Sequence, residues 1–183
     1  MEDTELLFEK MLKNYNPCTI FMRDNCDNYF EHRRKFVELF TEFVIRFGEN
    51  VLYISFGKSN QLMYNDYLSC RFDLTRDYYK NPKEMLTETQ KHLITHHTPP
   101  FVSINIPSQN LELTIDIIQQ LNQFKFVFVD NSMLHNKDRI DFIQSLCDVA
   151  DANNVRVFVC LNSRTIDITK IKNDNSKIAI YTI

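Results

Sequence analysis

The chain of 183 residues contains only two glycines, Gly48 and Gly57, where an average domain of this length carries about 13. A dinucleotide fingerprint needs three glycines, and a phosphate-binding P-loop needs two glycines five positions apart followed by Lys. Neither can be written with Gly48 and Gly57. Tryptophan is absent, and no apolar run approaches the roughly 18 residues of a membrane span. The five cysteines (Cys18, Cys26, Cys70, Cys147 and Cys160) are odd in number and form no Cys-x-x-Cys, which points to reduced thiols in a nuclear or cytoplasmic setting. No ligand pair is read at zinc spacing, and no metal site is expected. The amino terminus, Met1-Glu2-Asp3-Thr4-Glu5, is acidic and lacks the layout of a signal peptide. A net charge of −3 supplies no global attraction to nucleic acid, so any such contact has to come from a local patch.

What is present suits one domain with a substantial core: 44% of residues are apolar and 25% charged. The 15 Phe and 8 Tyr are many, and they suit both core packing and an exposed aromatic interface. Residues 4–14 read as a short helix broken by Pro17, and residues 18–22 as a strand. A long helix is expected from Tyr29 to Phe47, with Phe36, Leu39, Phe40, Phe43, Val44 and Phe47 at three- and four-residue steps. Gly48 is placed to end it at positive φ. Further strands are expected at Val51–Phe56, Phe101–Ile106, Phe124–Val129, Val155–Leu161 and Lys177–Ile183. Helices are expected from Pro82 to Leu93, after an N-cap at Ser108, and from Lys137 to Ala152. Residues 61–80 give no clear pattern. Strands and helices alternate and the strands are continuously apolar, which implies a mostly parallel sheet with helices on both faces.

Ligands of open parallel sheets sit beyond the carboxyl ends of the strands. Those ends are Met22–Asn28, Ser55–Asn60, Asp130–Ser132 and Asn162–Arg164. Asp130 ends an apolar strand, where a P-loop NTPase holds its Mg²⁺ through a carboxylate; a strand-terminal Asp capping the next turn has the same appearance. Gly57-Lys58-Ser59 looks like the tail of a P-loop, but the glycine required upstream would fall at Leu52, inside a strand, and the segment after Ser59 is a poor helix start. His96 and His97 read as loop residues beside prolines. No catalytic grouping of Ser, His, Cys and carboxylates can be assembled.

Three segments in order resemble the ATPase core of RecA-type recombinases, in particular their divergent eukaryotic paralogues of the Shu-complex kind. Asn50-Val51-Leu52-Tyr53-Ile54-Ser55, after a long helix, is similar to the family's second core strand. Phe126-Val127-Phe128-Val129-Asp130-Asn131-Ser132 resembles the Walker B strand. The helix and strand from Leu146 to Ser163 lead to Asn162, which matches an Asn the family places near the γ-phosphate. The resemblance covers about residues 15–165 and implies a three-layer RecA-like, P-loop NTPase-like α/β core over residues 1–183.

The departures are equally specific. The Walker A position, Arg23-Asp24-Asn25-Cys26-Asp27-Asn28-Tyr29, holds neither Gly nor Lys. The place of the family's catalytic Glu holds Phe56 or Gly57. Phosphate cradle, cation and water-activating carboxylate are all missing, and Asp130 is left as a vestige. The resemblance therefore implies a pseudo-ATPase without a cofactor, not an enzyme. It would assist homologous recombination and DNA repair by stabilising recombinase filaments on single-stranded DNA, within a heterodimer or small complex with another recombinase-like paralogue and away from membranes. Candidate DNA contacts are Arg164, Lys170, Lys172 and Lys177 in and near a polar loop, with Arg33 and Arg34 in the run His32-Arg33-Arg34-Lys35, and Tyr181; balanced surface charge explains the same residues. Two alternatives stand beside this: an α/β enzyme with a ligand at Asp130 and Asn162, and a scaffold that does not touch DNA.

Overall fold

Short apolar runs joined by helices leave the chain one economical solution, a parallel sheet buried on both faces. The computed structural model adopts it, and describes residues 4–14, 16–23, 29–56, 59–75, 77–106, 110–130, 139–162 and 177–182. The strands are β1 (Cys18–Arg23), β2 (Val51–Phe56), β3 (Val102–Ile106), β4 (Phe126–Asp130), β5 (Arg156–Asn162) and β6 (Ile178–Thr182). They form one six-stranded sheet in the order β3-β2-β4-β5-β1-β6, and every pairing is parallel. The helices are α1 (Thr4–Lys13), α2 (Tyr29–Phe47), α3 (Asn60–Arg71), α4 (Pro82–Met85), α5 (Glu88–His96), α6 (Leu111–Gln120) and α7 (Arg139–Ala152). The result is the three-layer α/β architecture expected of a RecA-like core, with α1, α2 and α3 on one face and α6 and α7 on the other.

The two faces have different chemistry. The strands are mostly apolar, as expected, yet their apolar residues alternate in kind. Phe21, Tyr53, Phe128 and Phe158 point to the α2 side, and Ile20, Leu52, Val127 and Val157 to the α7 side. On α2, the stripe Phe36, Phe40 and Phe43 meets the aromatic face, with ring centres 4.8 Å apart for Phe40–Tyr53 and for Phe43–Phe158. Such pairs each add about 0.5–1.5 kcal/mol beyond area burial. On α7, Ile143, Leu146, Cys147 and Ala150, with Phe142, cover the mostly aliphatic face, which also holds Phe56 and Phe124. Most described aromatic residues are thus core, and Tyr79 is the one among them that stands out as exposed.

The amino edge of the sheet is stitched before the ladders begin. Lys125 N donates to Asn50 O, Arg156 N to Lys125 O, and Val157 N to Pro17 O, each at 2.8–2.9 Å. Gly48 sits at φ +53°, ends α2 as expected, and starts a single 3₁₀ turn leading into β2.

Four local expectations are corrected. Residues 60–71 form α3, for which Ser59 is a sound start: its side chain accepts from Leu62 N. The single helix expected from Pro82 to Leu93 is two, because Thr87 and Gln90 form a capping box that begins α5 anew. His96 is accordingly helical, and only His97 leaves the helix. The N-cap of α6 is Asn110, accepting from Leu113 N at 2.9 Å, while Ser108 lies outside the described residues.

Candidate functional site at the carboxyl edge

Parallel register brings one residue from each strand into a row near the carboxyl edge: Asn105, Ser55, Asp130, Cys160, Phe21 and Tyr181, in sheet order. Registered residues share a face, and this row faces the α2 side. Its β3–β5 part is polar and its β1–β6 part aromatic. Ser55, Asp130 and Cys160 are all buried, with Asp130 only 4% exposed.

Asp130 is held from the strand beside it. Tyr53 lies two residues before Ser55 on β2, so its ring points to the same face and its hydroxyl reaches forward along the sheet. It donates to Asp130 Oδ2 at 2.7 Å. The Tyr53 ring is wedged against Phe40 and Phe36 of α2, which fixes the donor in place. Buried carboxylates persist where hydrogen bonds replace lost hydration, and a phenol is a strong neutral donor for the purpose. On the other side of Ser55, Asn105 Oδ1 is buried without a hydrogen-bond partner.

The remaining expected site residues that the structure describes do not converge. Asn162 ends β5 in register with Arg23, two residues beyond the row, so its Cα lies about 8 Å from that of Asp130 by strand geometry. Lys177 precedes β6 and therefore lies at the opposite, amino edge, where it pairs with Asp151 of α7. Arg34 sits on α2, in the other helical layer, and its Nε donates to Glu38 Oε1 at 2.9 Å; that contact holds its guanidinium above its ordinary pKa. Glu38 also accepts from Thr4 of α1. Arg33 belongs to α2 as well. Tyr181 is half-buried, stacked on Phe21 at 5.9 Å with Lys10 over its ring. Arg164, Lys170 and Lys172, with the Walker A position 24–28 and Gly57-Lys58, lie outside the described residues. Among the described residues, Arg34 and Lys177 thus do not form one basic patch.

Sequence reasoning missed Tyr53 as Asp130's partner and Asn105 as its neighbour. A signal for the first was present: a tyrosine in a buried, mostly apolar strand needs a partner for its hydroxyl.

No disulfide joins the described cysteines Cys18, Cys70, Cys147 and Cys160. Burial raises Cys18 far above the ordinary thiol range, with Cys147 adding to it, and pushes Cys70 up to about 12 and Cys147 to about 11. Burial thus disfavours the reactive thiolate form at Cys18, Cys70 and Cys147. No helix among the described residues is long and apolar enough to cross a membrane.

Compared with known proteins, the chain matches no family model and no curated protein.

Proposed function

We propose that this chain is a non-catalytic RecA-like subunit that assists homologous recombination, stabilising recombinase filaments on single-stranded DNA as part of a heteromeric complex. The observation that carries the reading is the Tyr53–Asp130 pair. Asp130 stands at the carboxyl end of an interior strand, the position of a Walker B carboxylate, yet it is buried and one oxygen is taken by a phenol from the adjacent strand. A carboxylate that serves Mg²⁺ has to present its oxygens to the ion and its water shell. Here the acid joins β2 to β4 and strengthens the core. The all-parallel three-layer sheet and the absence of glycine and lysine at 23–29 support the same reading. A fold kept while its phosphate chemistry is lost serves through its surface, which is how an accessory subunit acts.

The test is co-purification followed by filament assay. The full chain is expected to capture a recombinase-like chain and to lengthen filament lifetime on single-stranded DNA, with no ATP binding by calorimetry. A chain that captures no such partner and leaves filament lifetime unchanged refutes the proposal.

One observation favours a second reading. Asn105 Oδ1, buried and unpartnered beside Ser55 and Asp130, suits a small polar ligand with a hydrogen-bond donor at the carboxyl edge. Under that reading Asn105→Ala abolishes binding of a metabolite detected by thermal-shift screening, and filament assays show nothing.

A further inference from the structure

Helix α5 carries two histidines four residues apart, His92 and His96, and both side chains are exposed. Their ring centres are 4.3 Å apart, with the planes inclined at 56°. Two imidazoles sharing one metal at about 2.0–2.1 Å bond length bring their ring centres to roughly 4.5–5 Å. The separation of the two rings is therefore close to that of a chelating pair. We infer that His92 and His96 form a two-imidazole chelate for a divalent transition metal ion, independent of the carboxyl-edge row.

Three features favour it. The first is preorganisation. At its amino end α5 is closed by the reciprocal Thr87–Gln90 capping box, in which Thr87 N donates to Gln90 Oε1 at 2.9 Å and Gln90 N to Thr87 Oγ1 at 3.2 Å. At its carboxyl end His97 is clamped to α3: Tyr64 Oη donates to His97 O, and Tyr67 Oη is 3.0 Å from His97 Nε2. The turn bearing both ligands is thus held at each end, and binding has only two side chains to order. The second is electrostatic. His96 lies in the last turn, where the partial negative charge of the helix terminus favours a cation. The third is donor chemistry. Neutral imidazole suits Zn²⁺, Ni²⁺ and Cu²⁺ and discriminates against Mg²⁺ and Ca²⁺, which take oxygen.

The neighbouring groups limit the site to two protein ligands. Glu88, one turn before His92, is 90% exposed and held by Lys91 at 2.6 Å. His97 is committed to Tyr67. Among the described residues no group of three ligating side chains exists. Two ligands leave the other coordination positions to water or to a group from another molecule. The pair is invisible while His96 reads as a loop residue; on a helix, four-residue spacing puts both rings on one face.

The experiment is calorimetric titration of the full chain at pH 7.5 with Zn²⁺ and with Ni²⁺, and with Mg²⁺ as control. The expected result is one saturable Zn²⁺ or Ni²⁺ site per chain and none for Mg²⁺. Affinity falls at least about tenfold in His92→Ala and in His96→Ala, since loss of a direct ligand costs no less than loss of its supporting partner. Both alanine variants replace exposed side chains, and an unchanged circular dichroism spectrum establishes that they fold. Saturable binding that survives in both alanine variants, or no saturable Zn²⁺ or Ni²⁺ binding by the parent chain, overturns the inference.

Discussion

Tyr53 and Asp130 are 77 residues apart in sequence and 2.7 Å apart in space, a phenol donating to a carboxylate across adjacent parallel strands. The bond runs diagonally, from the aromatic row of the sheet to the polar row at its carboxyl edge. It joins the part of the core that fills space to the part that carries charge.

Removing the donor leaves a buried carboxylate oxygen short of a hydrogen bond. Tyr53→Phe is expected to lower unfolding stability by about 1.5–3 kcal/mol, the range for bonds to charged groups. Asp130→Asn costs less in the Tyr53→Phe background than alone, since the pair acts as a unit. Urea unfolding of the four proteins in the double-mutant cycle measures both; additive effects would show that the bond contributes nothing.

Arg156 performs a different closure. Its guanidinium donates through Nη2 to Met11 O and, at 3.1 Å, to Asn14 O, so a buried cation of β5 seals the carboxyl end of α1. Helix ends leave carbonyls without partners, and a cation there also meets the helix dipole favourably. Arg156→Met is expected to destabilise the chain by about 2–3 kcal/mol. Hydrogen exchange should accelerate first in α1. Arg156→Lys rescues only part of the loss, because an ammonium lacks the planar fork.

Gly48 is one of two glycines, and its φ of +53° explains it without recourse to crowding: a Cβ added there meets nothing within 4 Å. The cost of Gly48→Ala is therefore backbone strain alone, about 1 kcal/mol. Gly48→Asn should cost less, since Asn tolerates the left-handed region, as Asn154 does at φ +52°. Denaturant midpoints of the two variants rank the cost.

His97 makes stability depend on pH. Burial, and then the nearby Arg71, lower its pKa below the ordinary value of about 6.5. The folded state thus binds a proton less readily than the unfolded chain. Stability is complete above the unfolded value and falls as pH drops through it toward the folded value. Melting temperature should decline between pH 7 and pH 5, and the decline should be shallower in His97→Gln. Equal declines in the two proteins would assign the effect to other groups.

Much of the scaffold was legible because it rests on local pattern. β1, β2, β4 and β5 are apolar runs of strand length, and α2 and α7 carry strong helical periodicity. Helix α3 was illegible: its buried side chains, Met63, Asn65, Tyr67 and Leu68, include a polar residue and are diluted by asparagine and serine. The break between α4 and α5 was legible in principle, because Thr87-x-x-Gln90 is a capping-box spacing. Of the candidate site, Asp130 and the carboxyl edge could be located from strand ends, but its partners could not. Which tyrosine reaches an acid 77 residues away depends on strand order, and strand order is set by how helices cover the two faces.

By itself the sequence determined that no standard phosphate loop can form, that the sheet is parallel, and that Gly48 ends a helix. These are consequences of backbone geometry and of periodicity within single segments. Tertiary structure alone decided that Phe21, Phe128 and Phe158 share one face of the sheet with Tyr53, that Asp130 is clasped by Tyr53, that Lys177 and Asn162 lie at opposite edges, and that His92 and His96 face each other on a capped helix. The first three depend on strand order and register across the chain, and the last on where α5 begins and how α3 clamps its end; each is a property of packing between segments, which no single segment encodes.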